Sequence, residues 1–172
     1  MQQRDVGAIF LDFSVRKLRQ LTERVCRCLE LLSDEQIWAR SSPSQNAVGN
    51  LVLHLCGNVR QWIGSGVGGL PDVRQRETEF STTGGESKDE LSGRLRSTVS
   101  EAISVLEEVP VARLTDLVEV QGYRLTALEA IYHVVEHFAQ HAAQIIYVTK
   151  HFTGRDLGFY NYLHRPHANE TP

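Results

Sequence analysis

The sequence predicts an all-α protein built as a four-helix bundle. Three observations carry that expectation. Four stretches of roughly 18 to 27 residues place apolar side chains at helical spacing. Short segments rich in glycine, proline or polar residues separate them. No internal repeat, low-complexity tract or linker interrupts the 172 residues, a length that suits one domain, 1–172, with a sizeable core. Four long helices in so small a domain pack as a bundle.

The first pattern runs from about residue 8 to 32, with Ile9, Phe13, Leu18, Leu21, Val25, Leu29 and Leu32 near helical spacing. In "SDEQIW", Ser33 and Gln36 have the spacing of a capping box, which predicts a short turn of helix. Pro43 and Ser44 precede a second long helix, about 46 to 63, which "GSGVGGLPDVRQR" is expected to stop with its glycines and proline. The polar break "STTGGESKDE" leads to a third helix over about 88 to 108, ended by Pro110. "VQGYRLT" reads as an extended piece with a turn at Gly122. Thr126 and Glu129 form another capping box and open the fourth helix, which reaches about residue 152. The tail from about 165, with His167 and "ANETP", is expected to be loose.

Composition excludes several classes of function. Hydrophobic residues make up 41% and charged residues 23% of the chain, as in an ordinary soluble protein. A net charge of -3 gives no reason to expect nucleic acid or an acidic membrane as partner. No stretch approaches the roughly 18 apolar residues of a membrane span, and the first residues carry no secretory pattern. Cys26, Cys28 and Cys56 are odd in number and form no CxxC pair. A reducing, cytoplasmic setting without disulfides is therefore expected.

The chemistry concentrates in "AIYHVVEHFAQHAAQIIYV", where His133, His137 and His141 stand four residues apart on the fourth helix. At about 100° per residue, with His137 at zero, the apolar stripe is centred near +60° to +70°. His141 lies inside that stripe at about +40°, His137 on its edge, and His133 on the polar side at about -40°. The expected order of burial is His141, His137, then His133. A third candidate, His54, sits at the boundary of the apolar arc of the second helix. Asn50, Asn58 and Gln61 lie beside it. Spacing leaves two readings open. Each ring nitrogen finds a carbonyl or carboxylate and nothing more, or three neutral imidazoles face one point and hold an ion with an open fourth position.

Two other metal patterns fit less well. "HVVEH" matches the H-x-x-E-H of inverted zinc peptidases, with Glu136 as base. It relies on His133, the most solvent-facing of the three, and only Asp156 and Glu170 follow as acidic side chains. The paired E-x-x-H motifs of di-iron carboxylate bundles are absent.

"NAVGNLVLHLCGNVRQWI", "ALEAIYHVVEHFAQHAAQIIYVTK" and "TGRDLGFYNYL" strongly resemble the DinB/YfiT-like family of metal-binding bundles, over nearly the whole chain. The signature is one histidine on the second helix plus H-x-x-x-H followed by a small residue and glutamine. The resemblance implies an all-α, DinB-like four-helix bundle that is often dimeric. It implies one divalent ion per chain, zinc or nickel first and iron or manganese next, held by His54, His137 and His141. Many members carry glycine where this chain has Ala143, a small-for-small change expected to keep the packing. His133, Gln144, Asn58 and Gln61 are placed to steady those ligands by hydrogen bonds. Some relatives transfer groups with a low-molecular-weight thiol, others were proposed as hydrolases, and most have no known reaction. A metal-dependent thiol transferase is the expected function, with a hydrolase or a non-catalytic metal- or ligand-binding module as alternatives. The partners expected are a small-molecule or thiol ligand and a second copy of the chain. Val52, Leu53 and Ile63 lie outside the His54-facing arc and suggest burial on more than one side. Arg74 and Arg76 are candidates to meet a carboxylate on the thiol. Cys56, about 200° around the helix from His54, is expected to be a buried structural thiol.

Overall fold

A computed structural model describes residues 5–164; the expectations for the tail from about 165, His167 included, lie outside the described residues. Six α-helices and one two-stranded hairpin form an all-α bundle. Its long members are α1 (Val6–Leu31), α3 (Val48–Val59), α5 (Lys88–Glu108) and α6 (Ala127–Thr153), with short α2 (Asp34–Trp38) and α4 (Arg76–Ser81) between them.

Local chemistry sets most of the boundaries. The Asp5 carboxylate accepts from Gly7 N and Ala8 N and so starts α1. Complete capping boxes open α2 at Ser33/Gln36, α5 at Ser87/Glu90 and α6 at Thr126/Glu129, each satisfying orphan N–H groups of a first turn. Gly154 ends α6 in the left-handed conformation (φ 63°), donating to Lys150 O.

One boundary differs from the sequence expectation. The second long helix does not stop near Ile63 but continues as a π-helix, Arg60–Val67, through Gly64 and Gly66. Trp62, Ile63 and Val67 are buried there, and Gly66 comes against Val120. Apolar packing outweighs the helix penalty of glycine, about 1 kcal/mol per residue. The extended piece is a hairpin of β1 (Leu117–Val120) and β2 (Tyr123–Thr126), paired antiparallel with Val120 opposite Tyr123 and a turn at Gln121 and Gly122.

Side-chain pairs fix the helix directions. His54 meets His137 and Asn58 meets His133, so α3 and α6 are antiparallel. Arg19 pairs with Glu107 and Arg96 with Glu23, so α1 and α5 are antiparallel. Gly7 packs on Val111 and Leu114 while Ala127 N donates to Asp116 O, so α1 and α6 start at the same end. Helices α3 and α5 therefore run the same way, and residues 68–87 must return along the bundle between them. That crossover carries α4 and lies beside the histidines.

The core is continuous through the four long helices, with Leu18, Leu29, Leu55, Leu95, Ile131, Phe138 and Ile145 fully buried. Cys26, Cys28 and Cys56 are buried free thiols, and burial was the expectation for Cys56. Burial pushes the Cys56 thiol up to about 12, so it stays protonated. No helix of the described residues is long and apolar enough to cross a membrane.

Candidate metal centre

The antiparallel run of α3 against α6 brings His54, His137 and His141 together, each offering one ligand atom and all three within 4.8 Å of one another. His54 is buried, and its Nε2 lies 3.0 Å from His137 Nε2. His141 Nε2 lies 3.1 Å from the same atom. His137 is thus the middle of the group.

The far side of each ring decides which nitrogen points inward. His54 Nδ1 lies 2.8 Å from Glu79 Oε2, and His141 Nδ1 lies 2.7 Å from Gln144 Oε1. A carboxylate and an amide oxygen only accept, so both Nδ1 atoms carry the hydrogen and both Nε2 lone pairs face His137. One N–H on His137 Nε2 would have to serve two lone pairs. A cation at their meeting point serves all three. Ligands in a tetrahedral site with bonds of about 2.0–2.1 Å stand about 3.4 Å apart, close to the 3.0 and 3.1 Å at which His54 and His141 stand from His137. His137 Nδ1 is buried without a partner, as is Asn58 Oδ1. The three residues fit a divalent ion as neutral nitrogen donors.

Electrostatics favour the neutral form of the three α6 imidazoles. Burial, then the neighbouring His141, His54 and His133 rings, push His137 down to about 3. Burial lowers His141 too, against the hydrogen bond of Gln144, and lowers His133 against Glu136. Burial by itself would raise Glu79, but hydrogen bonds from Arg74 and His54 outweigh it and hold the carboxyl below its ordinary range.

The remaining expected residues fall into three positions. Gln144 touches His141 directly. His133 stays outside the group of three: it lies against the Trp62 ring at 4.0 Å between centroids, with Asn58 Nδ2 3.4 Å from its Nε2. Gln61 does not reach a histidine; its Oε1 accepts from Arg74 Nη1 at 2.8 Å and its amide donates to Asp72. Glu136, the base of the peptidase pattern, is exposed and accepts from Gln140. Ala143 is exposed, so its size matters little to packing. His133, His137 and His141 are all half-buried, and the ring nitrogen closed off without a partner is Nδ1 of His137.

Two findings correct the reading of the crossover. Arg74 is not free to meet a ligand: its side chain is buried and gives Nε and Nη2 to Glu79 at 2.7 and 2.8 Å. Glu79 itself was not anticipated, since "RQRETEF" reads as a solvated polar stretch. Its one sequence signal is Gly57, three residues after His54 on the same side of α3, where any side chain would run into the Glu79 carboxylate. Phe80 tilts against His54 at 4.7 Å, with the Arg76 guanidinium 5.0 Å above the Phe80 ring.

A helical bundle whose third and sixth helices converge three histidines defines a class, and solved structures share its fold. The chain is similar to a conserved protein from Enterococcus faecalis at 16% identity and a TM-score of 0.70, covering 89% of this chain and 100% of that one. It is similar to a DinB-like protein from Bacillus cereus ATCC 10987 at 16% identity and a TM-score of 0.64, covering 81% and 89%. The fold is therefore that of a DinB-like all-α bundle. No curated protein matches the chain. The family model described as protein of unknown function (DUF1572) matches residues 5–163, and the chain belongs to that family.

Proposed function

We propose that this protein binds one divalent metal ion per chain through His54, His137 and His141 and uses it for chemistry on a low-molecular-weight thiol. The observation that carries the reading is the convergence of three Nε2 atoms, two of them held lone-pair-inward by Glu79 and Gln144. Zinc and nickel suit an all-imidazole set best, with iron or manganese behind them. The ion would supply a Lewis acid with an open position, lowering the pKa of a thiol or water placed against it.

The chain's own residues then have separate tasks. Glu79 and Gln144 orient two imidazoles, and the Trp62 ring shields the His133 side. Because Arg74 is committed to Glu79, Arg76 is the arginine left to meet a ligand carboxylate, from its place over Phe80. The thiol is the first class to try because the family resemblance implies its use by some members; a hydrolase or a binding module is the alternative outcome.

Cobalt-substituted protein tests the reading. Adding a small cytosolic thiol should produce a thiolate-to-metal charge-transfer band, absent in His137→Ala. A spectrum unchanged by every thiol tried would remove the transferase reading and leave the hydrolase or binding module.

A further inference from the structure

Among the crossover side chains that touch His54, Glu79 is the carboxylate, and its surroundings are built to hold it. Glu79 is only 8% exposed although it carries a carboxylate. Gly57 leaves the space it occupies. Arg74 donates twice to it, and Gln61 fixes Arg74 from α3. Behind it, the fully buried Asn50 donates to Glu79 O at 2.9 Å and Thr82 O at 2.7 Å, and Arg40 donates to Phe80 O and Thr82 O. Backbone and carboxylate are both pinned. What remains is Oε2 directed at His54 Nδ1.

We infer that Glu79 is a positioning residue of the metal centre, fixing His54 with its hydrogen on Nδ1 and its Nε2 lone pair inward, while Arg74 balances the charge. This rests on the metal reading above. A neutral imidazole left to itself in water prefers its hydrogen on Nε2, which here would point an N–H into the centre and block donation. The hydrogen bond made by the other nitrogen decides between the two forms. The carboxylate reverses the preference of His54. Arg74 makes the pair neutral, so the orienting group adds no unbalanced charge to a buried site. Arg74 Nη2 also lies 3.1 Å from His54 Nδ1, and one of its two hydrogens goes to Glu79 Oε2 at 2.8 Å; the carboxylate, which only accepts and is the closer partner of Nδ1 at 2.8 Å, requires the hydrogen on Nδ1.

Long-range 1H–15N spectra of metal-free protein report which ring nitrogen of His54 carries hydrogen. The wild type should show Nδ1–H, and Glu79→Gln should keep it because an amide oxygen still accepts. The double variant Arg74→Met with Glu79→Met removes both charges together, so neither is left buried alone, and it carries the test if Glu79→Gln does not fold. In it His54 should return to Nε2–H, and zinc affinity by chelator competition should fall about 10–100-fold. His54 remaining Nδ1–H in the double variant, or unchanged zinc affinity, overturns the role of Glu79. A change of tautomer between wild type and double variant, in a wild type that takes up no zinc, overturns the metal reading while supporting the hold of Glu79 on His54.

Discussion

At the scale of single residues, the site is defined by where protons sit. His137 keeps its ring neutral down to about 3 in the folded protein, whereas an unfolded imidazole takes a proton near pH 6.5. Between those values the unfolded chain binds more protons, so the stability of metal-free protein should fall as pH drops below about 6.5 and level off near 3. The lowered values of His133 and His141 act with the same sign. Urea unfolding of metal-free protein at pH 7.5, 5.5 and 4.5 measures this, and His137→Gln should flatten the dependence. A stability that rises on acidification would contradict the neutral, closed-off imidazole. Cys56, pushed up to about 12 by burial, should add nothing to the dependence in that range.

At the scale of elements, the crossover carries Glu79 to His54, and Asn50 holds the crossover. Its Oδ1 accepts from Ala47 N and Arg40, and its Nδ2 donates to Glu79 O and Thr82 O. Asn50→Ala leaves several buried groups unpaired at about 1–3 kcal/mol each, partly relieved by relaxation. It should cost about 2–4 kcal/mol in urea unfolding and weaken ion binding through Glu79; a loss under about 0.5 kcal/mol would show that the crossover is held elsewhere. Much of this scale was legible in the sequence. The boxes at Ser33, Thr126 and their partners, the break before Lys88 and the turn at Gly122 are local chemistry, which sequence carries. The π-helical continuation through Gly64 and Gly66 was not legible, because it depends on contacts such as Gly66 against Val120. Helix α4 is six residues long and shows no periodicity, so Glu79 looked like any solvated carboxylate. The phase of His54 against His137 and His141 was legible, since helical periodicity fixes a face. The acceptors behind those rings come from tertiary packing, apart from Gln144 on the same helix.

At the scale of the whole molecule, the expected homodimer needs a different surface from the one the sequence suggested. Val52 and Ile63 are fully buried within the chain and Leu53 is half-buried, because α3 is wrapped by α4, α5 and α6. Light scattering at micromolar concentration should give twice the 19.4 kDa chain mass. A single-chain mass for the wild type would contradict the dimer. The central claim is the identity of the three ligands, and metal content per chain tests it most directly. Protein purified without a polyhistidine tag should carry about one divalent ion per chain by elemental analysis. His54→Ala, His137→Ala and His141→Ala should each lose it, while His133→Ala keeps most of it. A site emptied by His133→Ala but left full by His54→Ala would contradict the assignment.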